Sequence, residues 1–64
     1  MRNTVLIVDD NEHYLDSFAD VYADWFAQRK LDVKKRTSRN AAQDFLRRHG
    51  EDVVLIIVDI IMPS

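Results

Sequence analysis

The chain has 64 residues, no cysteine and a formal net charge of −2. These values exclude disulfides and a thiolate metal site, and they give no electrostatic reason to bind nucleic acid or an anionic membrane. A chain of this length buries only about 60% of its unfolded surface, so we expect one small, marginally stable domain. No apolar run approaches the ~20 residues of a membrane helix, and no signal peptide is visible. The absence of cysteine fits a reducing, cytoplasmic setting.

The first predicted strand covers residues 5–8, which are apolar on both faces, as in a strand covered from both sides. Asp10 or Asn11 is expected to cap the helix that follows. Large apolar residues then recur every three or four positions, which predicts one amphipathic helix of about five turns. These residues are Tyr14, Leu15, Phe18, Tyr22, Trp25 and Phe26.

A second, polar strand is predicted at residues 31–37, and its lysines place it at the border of the sheet. Asn40 with Gln43 resembles a capping box for a second helix, which Gly50 is expected to end. The third strand is Val53–Val58, six unbroken apolar residues. The order β-α-β-α-β predicts an α/β fold with a parallel sheet and helices on both faces. The inner stripe of the second helix is predicted to be Ala41, Ala42, Phe45 and Leu46.

Two of the buried strands end in carboxylates. Asp9 and Asp10 follow the first strand, and Asp59 follows the third. Ligands of open α/β sheets bind outside the carboxyl ends of the strands, so these three side chains are expected to share one site. Crowded carboxylates repel each other unless a cation joins them, and oxygen-only ligation suits Mg²⁺.

Such a site suits phosphoryl transfer. A carboxylate can attack phosphorus when Mg²⁺ neutralises the phosphoryl oxygens. Asp59 is the candidate nucleophile, because the apolar run before it fixes its backbone. Asp10 is expected to bind the cation directly and Asp9 to orient a metal-bound water, with the backbone carbonyl of Ile61 as a further ligand.

Taken together, these segments resemble the first half of a response-regulator receiver domain, the phosphoacceptor module of two-component signalling. The resemblance covers the elements of residues 1–64 in order and is sharpest at 5–11 and 54–63, where Met62-Pro63 follows the aspartate. It implies a flavodoxin-like sheet, of which this chain supplies strands in the order 2-1-3. It also implies that Asp59 accepts a phosphoryl group from a sensor histidine kinase or a phosphotransfer protein. Asp9, Asp10, Asp59 and the Ile61 carbonyl would then hold Mg²⁺, and the chain would not itself be an enzyme.

Several features depart from the family pattern. The segment Gln28-Arg29-Lys30 replaces a turn that usually contains glycine. The hydroxyl residue after strand four and the lysine after strand five, which couple phosphorylation to conformational change, have no counterpart, so we expect a truncated receiver. Its third strand would then present an open edge, which predicts a homo-oligomer paired through that strand.

Other interpretations use the same residues. Asp9 and Asp10 would be helix caps and Asp59 a turn residue if no site forms. A haloacid-dehalogenase-like phosphatase needs a second Asp where Ile61 stands, and P-loop or nicotinamide folds need more than one glycine. A non-signalling receiver fragment that only self-assembles stays open. His13, His49 and the clusters at 34–36 and 47–48 are interpreted as solvated charge.

Overall fold

The computed structural model describes residues 2–58, which form a three-stranded parallel sheet with helices on both faces. The strand order is β2-β1-β3, so the predicted α/β class and the predicted order are confirmed. Within the described range no helix is long and apolar enough to cross a membrane. The elements are β1 (Thr4–Val8), α1 (Glu12–Val21), α2 (Ala23–Gln28), β2 (Asp32–Arg36), α3 (Arg39–His49), a 3₁₀ turn (Gly50–Asp52) and β3 (Val53–Val58).

The core is built around β1, whose five residues are all buried. Successive side chains of a strand point to opposite faces of the sheet. Val5 and Ile7 therefore pack under α1 and α2, with Leu15 and Phe26, while the other face of β1 packs under α3. The cluster on the α3 face consists of Leu6, Val8, Ala42 and Phe45.

The polar strand β2 lies at the border of the sheet, as its lysines predicted. Lys35 Nζ donates a 2.8 Å hydrogen bond to Asp16 Oδ1 on α1, and this bond raises the pKa of Lys35. Because the pKa is raised in the folded state, the small contribution of this exposed pair is present at neutral pH. It is lost only as the pH rises through the folded-state pKa.

The sequence predicted one continuous helix of about five turns, and this prediction is wrong. The structure has two helices, α1 and α2, in its place. The chain bends at Tyr22, where φ is −104° and ψ is 11°. Hydrogen bonds still run through the bend, from Tyr22 N to Phe18 O and from Phe26 N to Tyr22 O. The apolar period survives for that reason, and Phe26 remains buried while Trp25 is 43% exposed. No glycine or proline marks the bend in the sequence, but the neighbouring Val21 is β-branched and weakly helix-forming.

Side-chain oxygens cap both longer helices. Asn11 caps α1 by accepting from the backbone N–H groups of His13 and Tyr14. The predicted capping box at Asn40 is wrong, because the cap of α3 is Ser38, two residues earlier, which accepts from Ala41 N at 3.1 Å. A serine hydroxyl at this position satisfies a donor that the helix itself leaves free.

The end of α2 shows how the chain turns without glycine. Lys30 has φ of 57°, in the left-handed region. Its N–H donates to Ala27 O and the Leu31 N–H donates to Phe26 O, both at 3.0 Å, which is the Schellman pattern of helix termination. Leu31 also packs against the cluster that contains Phe26. By contrast Gly50, which ends α3 as predicted, has φ of −57° and does not use its left-handed freedom.

Lys30→Gly should therefore stabilise the chain. Relief of the left-handed strain is worth about 1–2 kcal/mol, against about 0.4–1 kcal/mol for the added freedom of the unfolded chain. We expect a net gain of roughly 0.5–1 kcal/mol, seen as a higher midpoint of urea unfolding. Gln28→Gly, at the last residue of α2, should instead lower the stability, by at most about 1 kcal/mol. A lower midpoint for Lys30→Gly would contradict the strain argument.

The strand β3 is only partly covered. The helix α3 packs on β1 and β2, so the side chains of β3 that face its layer are left half exposed. Ile56 is 45% and Val58 48% exposed, Leu55 on the opposite face is 42% exposed, and Val54 near the start of the strand is 45% exposed. The pairing of β3 with β1 is irregular at its start, since Thr4 pairs with Val53 but Val5 pairs with Leu55. Val54 is thus an inserted residue, and the strand is regular from Leu55 onward.

Candidate functional site at the carboxyl ends of the strands

The first and third strands end side by side. The parallel register pairs Ile7 with Ile57 and Val8 with Val58, the last residues of the two strands. Asp9 follows directly on the first strand, and Asp59 follows Val58 in the sequence but lies outside the described residues. The geometric premise of the predicted site, that the two strand ends are neighbours, is therefore present in the fold.

Asp9 is held at both its backbone and its side chain. Its N–H donates to Arg36 O at 3.1 Å, which ties it to the end of β2. Its Oδ1 accepts from Asn11 N at 2.9 Å, closing a short turn between β1 and α1. A carboxylate has about four lone-pair sites, so one such bond leaves capacity for a water or a cation. Asp9 is thus a fixed, partly buried acceptor at the sheet edge.

Asp10 is exposed in the bend that leads into α1. The capping interpretation is wrong for this residue, because Asn11 supplies the cap. The positive end of the α1 dipole lies at the same edge, and a helix N-terminus favours negative charge nearby. Asp10 is therefore an exposed carboxylate whose placement is not explained by helix capping.

The charge of this edge is not cancelled by ion pairs within residues 2–58. The three ion pairs found there are Lys34–Asp32, Lys35–Asp16 and Arg48–Asp44. Arg36 ends the neighbouring strand, but its guanidinium lies 4.8 Å from the centre of the Phe45 ring on the α3 face. Among these contacts, no arginine pairs with the carboxylates at the strand ends. A cation that binds there would therefore not compete with an arginine side chain.

The metal site itself stays a prediction. Of the four expected ligands the structure describes Asp9 and Asp10, whereas Asp59 and Ile61 lie outside the described range. Within that range no three His, Cys, Asp or Glu side chains come close enough to hold a metal ion. The two described carboxylates are oxygen donors of the kind that Mg²⁺ prefers, so they fit the expected ion.

Both histidines are exposed near helix ends, as predicted. His13 is exposed in the first turn of α1. His49 is exposed at the end of α3, where its ring centre is 5.1 Å from that of Phe45. The basic cluster at 34–36 is likewise partly paired, through Lys34 and Lys35.

An apolar groove beside the acidic edge was missed in the sequence. It has a volume of about 440 Å³ and runs between α1 and the last residues of β1 and β3. Tyr14, predicted to face inward, lies along it and is 67% exposed, and Val21 is 74% exposed. Their spacing of seven residues, two helical turns, was the available signal, but periodicity alone does not distinguish a covered stripe from an open one.

Comparison of the chain with protein-family models, with curated proteins and with solved structures gives no match.

Proposed function

We propose that this chain is a phosphoacceptor receiver module of a two-component response regulator, phosphorylated at Asp59 in a Mg²⁺-dependent reaction. The observation that supports it is the register of β1 with β3, which ends both strands level at Val8 and Val58. Carboxylates that follow neighbouring parallel strands can act on one ligand at the sheet edge. The donor is a sensor histidine kinase or a phosphotransfer protein carrying a phosphohistidine.

The reaction is a transfer between two protein side chains. A carboxylate oxygen of Asp59 forms a bond to phosphorus while the phosphorus–nitrogen bond of the phosphohistidine breaks. The imidazole ring, protonated at its other nitrogen, leaves with the electron pair as neutral imidazole. Bound Mg²⁺ would neutralise the phosphoryl oxygens. Asp10 would bind the ion, and Asp9, fixed by its bond from Asn11 N, would orient a water on it. The chain supplies the acceptor aspartate, and the kinase would recognise the chain as its substrate.

A small-molecule donor tests the proposal without knowledge of the kinase. Incubation of the chain with acetyl phosphate and Mg²⁺ should add one phosphoryl group, detected by intact-mass spectrometry. The adduct should be lost on mild alkaline treatment, as expected for an acyl phosphate, and should not form when EDTA removes the metal. A phosphoryl group that survives alkali, or that forms equally in EDTA, would contradict an aspartyl acceptor assisted by Mg²⁺.

A second candidate function is self-assembly through β3, with no signalling role. It is favoured by the unpaired outer edge of β3 within the described range and by the half-exposed side chains on both of its faces. An apolar strand edge of this kind is a template for pairing with another strand. Light scattering at micromolar concentration distinguishes an associated chain from a monomer, and phosphorylation is measured independently of it.

A further inference from the structure

The residue that caps α1 also holds a carboxylate of the proposed metal site. Asn11 Oδ1 accepts from His13 N at 2.9 Å and from Tyr14 N at 3.3 Å. The backbone N–H of the same residue donates to Asp9 Oδ1 at 2.9 Å. Asn11 is therefore bonded on one side to the first turn of the helix and on the other side to the end of β1.

The first turn of α1 is anchored in the core of the chain. Leu15 is buried in the same cluster as Val5 and Ile7, and its N–H donates to Asn11 O at 3.2 Å. The backbone of Asn11 is extended, with φ of −100° and ψ of 108°, as is usual for an N-cap residue. The core thus fixes the cap, and the cap fixes the direction of the Asn11 N–H that Asp9 accepts.

A fixed donor determines how the Asp9 carboxylate is presented to a cation. The bond from Asn11 uses one lone pair of Oδ1, so the other lone pairs stay available in one set orientation. A group that is already ordered loses less freedom when it binds, and this raises affinity. Partners that orient metal ligands in this way typically change metal affinity by about 10–100-fold.

We propose that Asn11 is a positioning residue of the metal site, so that Mg²⁺ binding and the capping of α1 are energetically coupled. This inference rests on the phosphoacceptor function proposed above and concerns the same site. Asn11 acts through Asp9, whose orientation it sets. Coupling between two equilibria is reciprocal. Mg²⁺ must therefore stabilise the first turn of α1 by the same factor by which the cap strengthens Mg²⁺ binding.

The second capped helix separates loss of a cap from loss of this positioning. Ser38 caps α3 by accepting from Ala41 N at 3.1 Å, and among the hydrogen bonds of residues 2–58 it makes none to Asp9 or Asp10. Ser38→Ala should therefore lower the urea midpoint about as much as Asn11→Ala does, and it should bind Mg²⁺ like the parent chain.

An NMR titration with Mg²⁺ measures the binding directly, through the amide resonances of Asp9 and Asp10. Asn11→Ala should raise the Mg²⁺ dissociation constant about tenfold, the lower end of the usual effect of an outer partner. Asn11→Ser restores a capping oxygen without adding charge, so it should recover most of the parental affinity.

Hydrogen exchange tests the reciprocal effect in the parent chain. The amide protons of His13 and Tyr14 are held by the cap, so saturating Mg²⁺ should slow their exchange by a factor of the same order, about tenfold. Helix ends open locally, and the Ala41 amide at the start of α3 should keep its exchange rate. This measurement needs no variant, so it decides the question even if Asn11→Ala does not fold.

The outcomes distinguish this inference from the function on which it rests. If the parent chain binds Mg²⁺ and Asn11→Ala binds it as tightly as Ser38→Ala does, the positioning role is overturned and the phosphoacceptor function stands. The same holds if Mg²⁺ leaves the exchange of His13 and Tyr14 unchanged. Coupling without phosphoryl uptake from acetyl phosphate would support the positioning role and contradict the function. A parent chain that binds no Mg²⁺ would overturn both.

Discussion

Replacing Asp59 by asparagine should abolish phosphoryl uptake from acetyl phosphate. Asparagine has nearly the shape of aspartate but lacks the negatively charged oxygen that attacks phosphorus. The intact mass of Asp59→Asn should stay unchanged under conditions that phosphorylate the parent chain. Equal phosphorylation of the two chains would remove Asp59 from the role of acceptor.

Substitution of two further aspartates tests the metal site and provides a control. Asp10→Asn keeps the acceptor but removes an expected ligand charge, so it should need at least about tenfold more Mg²⁺ for the same uptake, or roughly 1.4 kcal/mol. Asp24→Asn removes an exposed acidic side chain from α2, away from the strand ends, and should behave like the parent. If Asp10→Asn has the same Mg²⁺ requirement as Asp24→Asn, Asp10 does not bind the ion.

Leu6→Ala should leave most of the chain unfolded at 25 °C. Leu6 is completely buried in the central strand and packs in the cluster under α3. Truncation of a buried leucine costs about 2–5 kcal/mol, because transfer energy is lost and a cavity remains. A single core in a chain below 70–80 residues rarely supplies more than about 3–5 kcal/mol in total. The loss should appear in the far-ultraviolet circular dichroism spectrum and as a missing urea transition.

An exposed truncation is the control for this change. Val21 is 74% exposed on α1, so Val21→Ala should alter the free energy of unfolding by less than about 0.5 kcal/mol. Both variants should be compared with the parent at one protein concentration, since any association stabilises the folded state. A Leu6→Ala chain with the parental urea midpoint would show that β1 is not the energetic centre of the fold.

The strands were predictable because their signals are local and strong. The apolar runs at 5–8 and Val53–Val58, and the lysines of β2, each correspond to the position that the structure gives them. The helix bend at Tyr22 was not predictable, because the hydrogen bonds and the apolar period pass through it. Ser38 was not predicted as the cap because Asn40 with Gln43 gives an equally good local pattern two residues later.

The candidate site could be predicted only in part. Runs that end in aspartate place carboxylates at the ends of strands, and the register of β1 with β3 depends on long-range pairing that no local pattern encodes. The turn between Asp9 and Asn11 is likewise a product of the fold, since Asp9 could equally have capped a helix. The open groove along Tyr14 was not predictable, because an apolar stripe on a helix has the same residue spacing whether or not another element covers it.

The central position of β1 has a consequence for how the chain acquires its structure. β1 pairs with residues of β2 that lie 28 positions later, such as Thr4 with Asp32, whereas its other neighbour pairs Val8 with Val58, fifty positions later. Contacts between such distant residues form slowly because the intervening chain must first be ordered. Pairing of β1 with β2 spans less chain than pairing with β3, so we expect the β1–β2 ladder to form before β3 completes the sheet.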